Sequence, residues 1–129
     1  MSKITPDLIR EIHRSAIDGG GKDEEQSLKD TVRDEGCIPM ICYGGKFLSD
    51  PYEKAAYYLH RIATRHPFME GNKRTAFMVA AITIYTDTEF MIENDATENN
   101  RFVRLIASGE VEEEEIVKWF DKHLIRSEI

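Results

Sequence analysis

The segment from Asn72 to about Thr86, NKRTAFMVAAITIYT, is apolar on nearly every face and carries small residues at Ala76, Ala80 and Ala81. A helix of that kind has no broad solvent face, and its alanines let neighbours approach closely, so it requires other helices packed around it. The rest of the chain offers them. Thr5 as N-cap, Pro6 at the first helical position and Asp7 in the first turn open a helix. Leu8, Ile9, Ile12, Ala16 and Ile17 form its apolar stripe, and glycines 19 to 21 close it. A shorter helix is expected from about Glu24 to Glu35, with Gly36 as its stop. Asp50-Pro51 opens a third that runs to about Arg65, with Ala55, Ala56, Leu59, Ile62 and Ala63 inward; His66 falls on the continuation of that stripe.

After a polar loop, Thr97 to Ser108 reads as a capped helix with Gly109 as its stop. EVEEEEIVKWFDKHL reads as a last amphipathic helix, its acidic first turn and its later Lys118, Lys122 and His123 matching the helix dipole. One stretch breaks the helical rhythm. In CIPMICYGGKFLSDP, Gly44-Gly45 lies between two short apolar runs, which predicts a small β-hairpin. The expectation is a single all-α domain over residues 1–129 that carries one hairpin before the apolar helix.

Composition narrows what such a bundle can do. The 129 residues are 41% hydrophobic and 32% charged, a globular balance. The longest apolar run is too short to span a bilayer and MSKITPDL lacks a signal-peptide core, so a cytoplasmic protein without membrane partners is expected. Cys37 and Cys42 lack CxxC spacing and read as free thiols. A formal charge of −7 argues against direct nucleic-acid binding. Locally the sign reverses: between His60 and Arg74 stand Arg61, Arg65, Lys73 and Arg74 against Glu70 alone.

That island contains HPFMEGNKR, residues 66–74, which joins the end of one helix to the start of the next. A helix start presents unpaired N–H groups and partial positive charge, a ready anion site. Gly71 allows close approach of backbone to a ligand, Asn72 can cap or donate, and Lys73 and Arg74 add charge. Cations are disfavoured at a helix start unless an anion is near. A phosphate would meet that need, and Glu70 could hold Mg²⁺ on it, since Mg²⁺ commonly takes one or two carboxylates plus phosphate oxygens. A free imidazole, with a pKa of about 6.5, is mostly neutral at pH 7, and an imidazole at His66 could then take a proton from an attacking hydroxyl. Taken singly, each residue has a plainer reading as core histidine, rigid loop or N-cap. Taken together, those readings leave the crowding of Glu70, Lys73 and Arg74 unexplained.

HPFMEGNKR resembles the Fic/Doc proteins of the Fido superfamily. It matches the pattern H-x-F-x-D/E-A/G-N-K-R of the Doc (death-on-curing) toxin branch at every specified position, and the similarity extends over essentially the whole chain. The resemblance implies a Fic/Doc-type helical bundle with a β-hairpin flap, and it implies roles. His66 would be the catalytic base, Phe68 the aromatic anchor, and Glu70 the Mg²⁺ ligand. Gly71, Asn72, Lys73 and Arg74 would bind nucleotide phosphates. Tyr43, Gly44, Gly45, Lys46 and Phe47 would form the target-docking flap.

The nucleotidylating branch instead reads H-P-F-x-D/E-G-N-G-R-x-x-R, and this chain departs from it with Lys73 for glycine and Phe77 for the second arginine. By resemblance the chain would be a toxin that transfers phosphate from Mg·ATP to a protein hydroxyl, on a translation elongation factor, held in check by a separate Phd-like antitoxin. AMP transfer is the alternative. A catalytically silent nucleotide- or antitoxin-binding module is another, and Arg61 to His66 also fits the short R-x4-H pattern of HEPN ribonucleases. Thr31-Val-Arg-Asp-Glu35-Gly36 matches an inhibitory pattern of the Fic family, although a glycine-closed helix end produces the same letters. His13, His60, His66 and His123 show no metal-ligand spacing.

Overall fold

The structure, a computed structural model, describes residues 4–18 and 32–127. Along the chain run helices α1 (Pro6–Asp18), α2 (Cys37–Gly45), α3 (Pro51–Arg65) and α4 (Asn72–Asp87). Strand β1 (Phe90–Ile92), helices α5 (Ala96–Ala107) and α6 (Glu113–His123) and strand β2 (Leu124–Arg126) complete it. It is an all-α bundle with a small two-stranded antiparallel sheet. The helix expected over Glu24 to Glu35 lies mostly outside the described residues, and residues 32–34 are not helical.

Local chemistry sets most helix ends. The Leu8 N–H reaches Thr5 Oγ1 at 3.2 Å and starts α1. Asp50 caps α3, accepting from the N–H groups of Tyr52 at 2.8 Å and Glu53 at 3.1 Å. Asp95, rather than Thr97, caps α5, accepting from the Glu98 N–H at 3.2 Å. Gly109, at φ 85°, closes it. In α6 the Glu112 N–H is taken by the Glu115 carboxylate at 3.0 Å.

Helices α3 and α4 share the largest interface. Around them α3 meets α2, α5 and α6, while α4 meets α1, α5 and β1. Tyr58, Leu59, Ile62, Phe68, Val79, Ile84, Ile106, Ile116 and Phe120 are fully buried between these elements. The near-uniform apolarity of α4 does not reflect burial on every side. Phe77 and Met78 border a cavity, and Ala81, Ile82 and Tyr85 border a shallow groove with Met91 and Ile92.

The hairpin expected at Gly44-Gly45 is not formed. Residues 37–45 are helical, and both glycines lie at its end against α3. A Cβ on Gly44 would collide with the Tyr57 hydroxyl, and one on Gly45 with the Tyr58 hydroxyl. The glycine pair therefore serves close helix approach and not a turn, two demands that leave the same letters in a sequence. The sheet lies elsewhere. Phe90, Met91 and Ile92 pair with Arg126, Ile125 and Leu124, so Leu124, expected as the last residue of the final helix, instead begins a strand.

Candidate functional site

Helix α3 ends in a strained residue. His66 adopts φ 51° and ψ 62°, the sole positive φ outside glycine among the described residues, and its N–H still reaches the Ile62 carbonyl at 3.3 Å. A left-handed conformation costs an L-residue roughly 1–2 kcal/mol. It turns the chain out of the helix so that the half-buried imidazole borders the cavity instead of extending the buried stripe. Backbone ties hold the strain in place. The Arg33 guanidinium donates to the carbonyls of His66 at 2.9 Å and Arg65 at 3.3 Å. The N–H groups of Arg33 and Asp34 donate to the Pro67 carbonyl at 2.8 and 3.1 Å. Val32 forms a lone antiparallel bridge with Phe68.

The loop then closes on itself. The Phe68 N–H donates to Asn72 Oδ1 at 2.9 Å, and Asn72 Nδ2 donates back to the Phe68 carbonyl at 2.9 Å. Buried Asn72 is thus the loop's clasp, and its carboxamide is already engaged. What it offers a ligand is its backbone N–H at the helix start. Gly71 is the N-cap at φ 79°, with no side-chain cap, and the first intrahelical bond runs from the Thr75 N–H to the Gly71 carbonyl at 3.0 Å. The N–H groups of Asn72, Lys73 and Arg74 precede it, so they open the helix without an intrahelical partner.

From below, α1 supports the loop. The buried His13 ring stacks on Phe68 at 3.6 Å between centroids and 5° between planes, with Nε2 2.7 Å from the Glu70 carbonyl oxygen. Arg74 donates to the Ala16 carbonyl at 2.8 Å, and a Cβ on Gly71 would come within 3.3 Å of Ile17.

His66, Glu70, Gly71, Asn72, Lys73, Arg74 and Phe77 all line one cavity of about 860 Å³, with exposed Met69 at its mouth. Seven residues singled out in the sequence therefore meet in one place. The five expected flap residues do not line it: Tyr43, Gly44 and Gly45 belong to α2, followed by Lys46 and Phe47, and Tyr43 and Phe47 pack edge-to-face on the surface. The segment that does run across the motif loop is residues 32–34. Arg61 lies over the Tyr57 ring and near Glu113 at 3.9 Å, away from the cavity that His66 lines. Of the inhibitory pattern, Thr31 lies outside the described residues, while Glu35 is exposed and paired with Arg10 at 3.3 Å.

The far wall went unnoticed in the sequence. It consists of Asn94 together with Asn99, Asn100, Val103 and Arg104 of α5. Nothing separates those polar residues from an ordinary solvated helix face until the fold brings α5 opposite the motif. His13 did leave a signal, a polar residue at i+4 from Ile9 and i−3 from Ala16 on an otherwise apolar stripe.

A cation would fit this cavity only in company. Among the described residues no group of three or more His, Cys, Asp or Glu side chains could hold a metal ion alone. Glu70 supplies one exposed carboxylate beside Lys73 and Arg74, which suits Mg²⁺ whose other ligands are phosphate oxygens and water.

The sequence pattern of the Fic/DOC family matches residues 3–84, more than half of the chain and all of the loop just described. The chain belongs to the Fic/DOC family, whose members are generally transferases. Among curated proteins, none matches it. No helix of the described residues is long and apolar enough to cross a membrane.

Proposed function

We propose that the protein transfers the γ-phosphate of Mg·ATP to a hydroxyl of a target protein, with His66 as general base. The observation that carries this reading is the place of Phe77 in the cavity wall beside Lys73 and Arg74. AMP transfer requires charged β- and γ-phosphates to depart deeper into the anion pocket. An apolar ring there disfavours them, while Lys73 and Arg74 favour charge at the helix start. His66 takes the proton of the attacking hydroxyl, whose oxygen bonds to the γ-phosphorus as the bridging oxygen leaves with ADP. Mg²⁺ held by Glu70 would supply charge neutralisation on the phosphates. The backbone N–H groups of Asn72, Lys73 and Arg74 and the two cations orient the phosphates for that attack.

AMP transfer is the second reading, because the motif up to Arg74 suits both directions of nucleotide entry. A translation elongation factor as target and a Phd-like antitoxin as partner are proposed from the resemblance of the motif alone, as is action inside the cytoplasm. Parallel reactions with ATP labelled on the α- or the γ-phosphate, with cell lysate as target and His66→Ala as control, decide between the readings. Label kept only from the γ-position and lost in the control supports phosphorylation. Label kept from the α-position assigns AMP transfer, and label kept from neither would leave a binding module and refute the transferase.

A further inference from the structure

We infer that His13 is a positioning residue that sets the Glu70–Gly71 peptide and, through it, the direction in which the Glu70 carboxylate meets a metal-bound phosphate. The inference rests on the proposed role of Glu70. A carbonyl oxygen can only accept, so the 2.7 Å contact requires that His13 Nε2 carry the hydrogen and donate to Glu70. The ring has little freedom. It is fully buried, it lies flat on Phe68, and Phe68 is itself held at both backbone polar groups by Asn72. The peptide it grips leads directly into Gly71, whose positive φ turns the chain into α4. Rotation of that peptide would swing the Glu70 side chain, while the Asn72 clasp and the Thr75 N–H to Gly71 carbonyl bond keep the start of α4 in place. Glu70 is exposed and has no ion pair among the described residues, so its own side chain has little else to orient it.

Stacking and donation are separable. His13→Phe keeps a ring on Phe68 and removes the donor, whereas His13→Gln restores a donor and removes the ring. The test is the dissociation constant of ATP measured by calorimetry on the full chain in Mg²⁺ and in EDTA, with thermal unfolding alongside. Loss of a group that orients a metal ligand typically costs about 10- to 100-fold in metal affinity. In His13→Phe the tightening of ATP by Mg²⁺ is therefore expected to shrink by about 10-fold or to vanish, with binding in EDTA unchanged, and His13→Gln is expected to recover part of it. A folded His13→Phe protein with the wild-type response to Mg²⁺, or one weakened equally in Mg²⁺ and EDTA, would overturn the inference and leave His13 a core residue. Glu70→Gln separates the two levels. If it abolishes the Mg²⁺ response while His13→Phe does not, the inference alone fails. If it leaves the response intact, the metal role of Glu70 fails and this inference with it.

Discussion

Asn72 is the residue at which fold and site are hardest to separate, and replacing it by alanine tests both. The substitution removes two hydrogen bonds of 2.9 Å that hold the Phe68 backbone. Phe68 is buried against His13, so its N–H has no ready route to water. An ordinary hydrogen bond contributes about 0.5–1.5 kcal/mol net, but a buried group left without a partner costs about 1–3 kcal/mol. With the N–H stranded and the carbonyl partly rehydrated, Asn72→Ala should lose about 2–4 kcal/mol of stability. Alanine is the better helix former, which returns only a few tenths of a kcal/mol at a first-turn position. Urea unfolding followed by circular dichroism measures the loss as a lower midpoint at constant slope. Asn72→Asp is the informative companion. It keeps the acceptor for the Phe68 N–H but turns a second carboxylate oxygen, an acceptor only, toward the Phe68 carbonyl, and its negative charge repels an incoming phosphate. It should therefore be destabilised as well and bind ATP poorly. An Asn72→Ala protein within about 0.5 kcal/mol of wild type, the scatter of ordinary surface substitutions, would refute the view that this side chain clasps the loop.

Gly45→Ala should destabilise although alanine favours helix, because its Cβ would press into the Tyr58 ring, with Cζ at 2.6 Å and Cε1 at 2.8 Å. Overpacking of about 1–3 kcal/mol exceeds the helix gain of about 1 kcal/mol in most of that range, and a raised melting temperature would contradict the close-approach reading. Glu98 accepts from Arg101 at 2.8 Å and from Trp119 Nε1 at 2.9 Å, and these hydrogen bonds hold its carboxyl down at about 2 against an ordinary 4.5. A lowered native value means that its contribution is present above pH 4.5 and disappears as pH falls toward 2. Glu98→Gln should therefore flatten the loss of stability across that window in denaturant titrations at stepped pH, and an unchanged profile would show that other carboxylates govern it.

Much of the bundle was legible because helix ends and helix faces are written locally. Thr5, Asp50-Pro51 and Gly109 act where their chemistry says they should, and the buried positions of α3 follow its apolar stripe. The free state of Cys37 and Cys42 was likewise readable from their spacing, and the fold buries both. The candidate site was legible for a related reason: His66 to Arg74 are contiguous, so one turn of chain brings carboxylate, cations and helix start together. Phe77 joins them one helical turn on. The physical rule behind each of these is short-range, and a sequence records short-range rules directly.

What depended on the tertiary structure is long-range. Gly44-Gly45 satisfies a turn equally well in isolation, and the arrival of Tyr57 and Tyr58 from the next helix decides that the segment is helical and the glycines are contact points. Leu124–Arg126 becomes a strand because Phe90–Ile92 stands beside it, more than thirty residues away in the chain. His66 leaves its helix because Arg33, from a segment far upstream, holds the carbonyl of the strained residue. His13 matters only because folding stacks it on Phe68 and aims it at the Glu70 carbonyl, 57 residues apart in sequence. Local chemistry thus determined which residues could form the anion site. Contacts between distant segments decided how the strained loop that carries them is held.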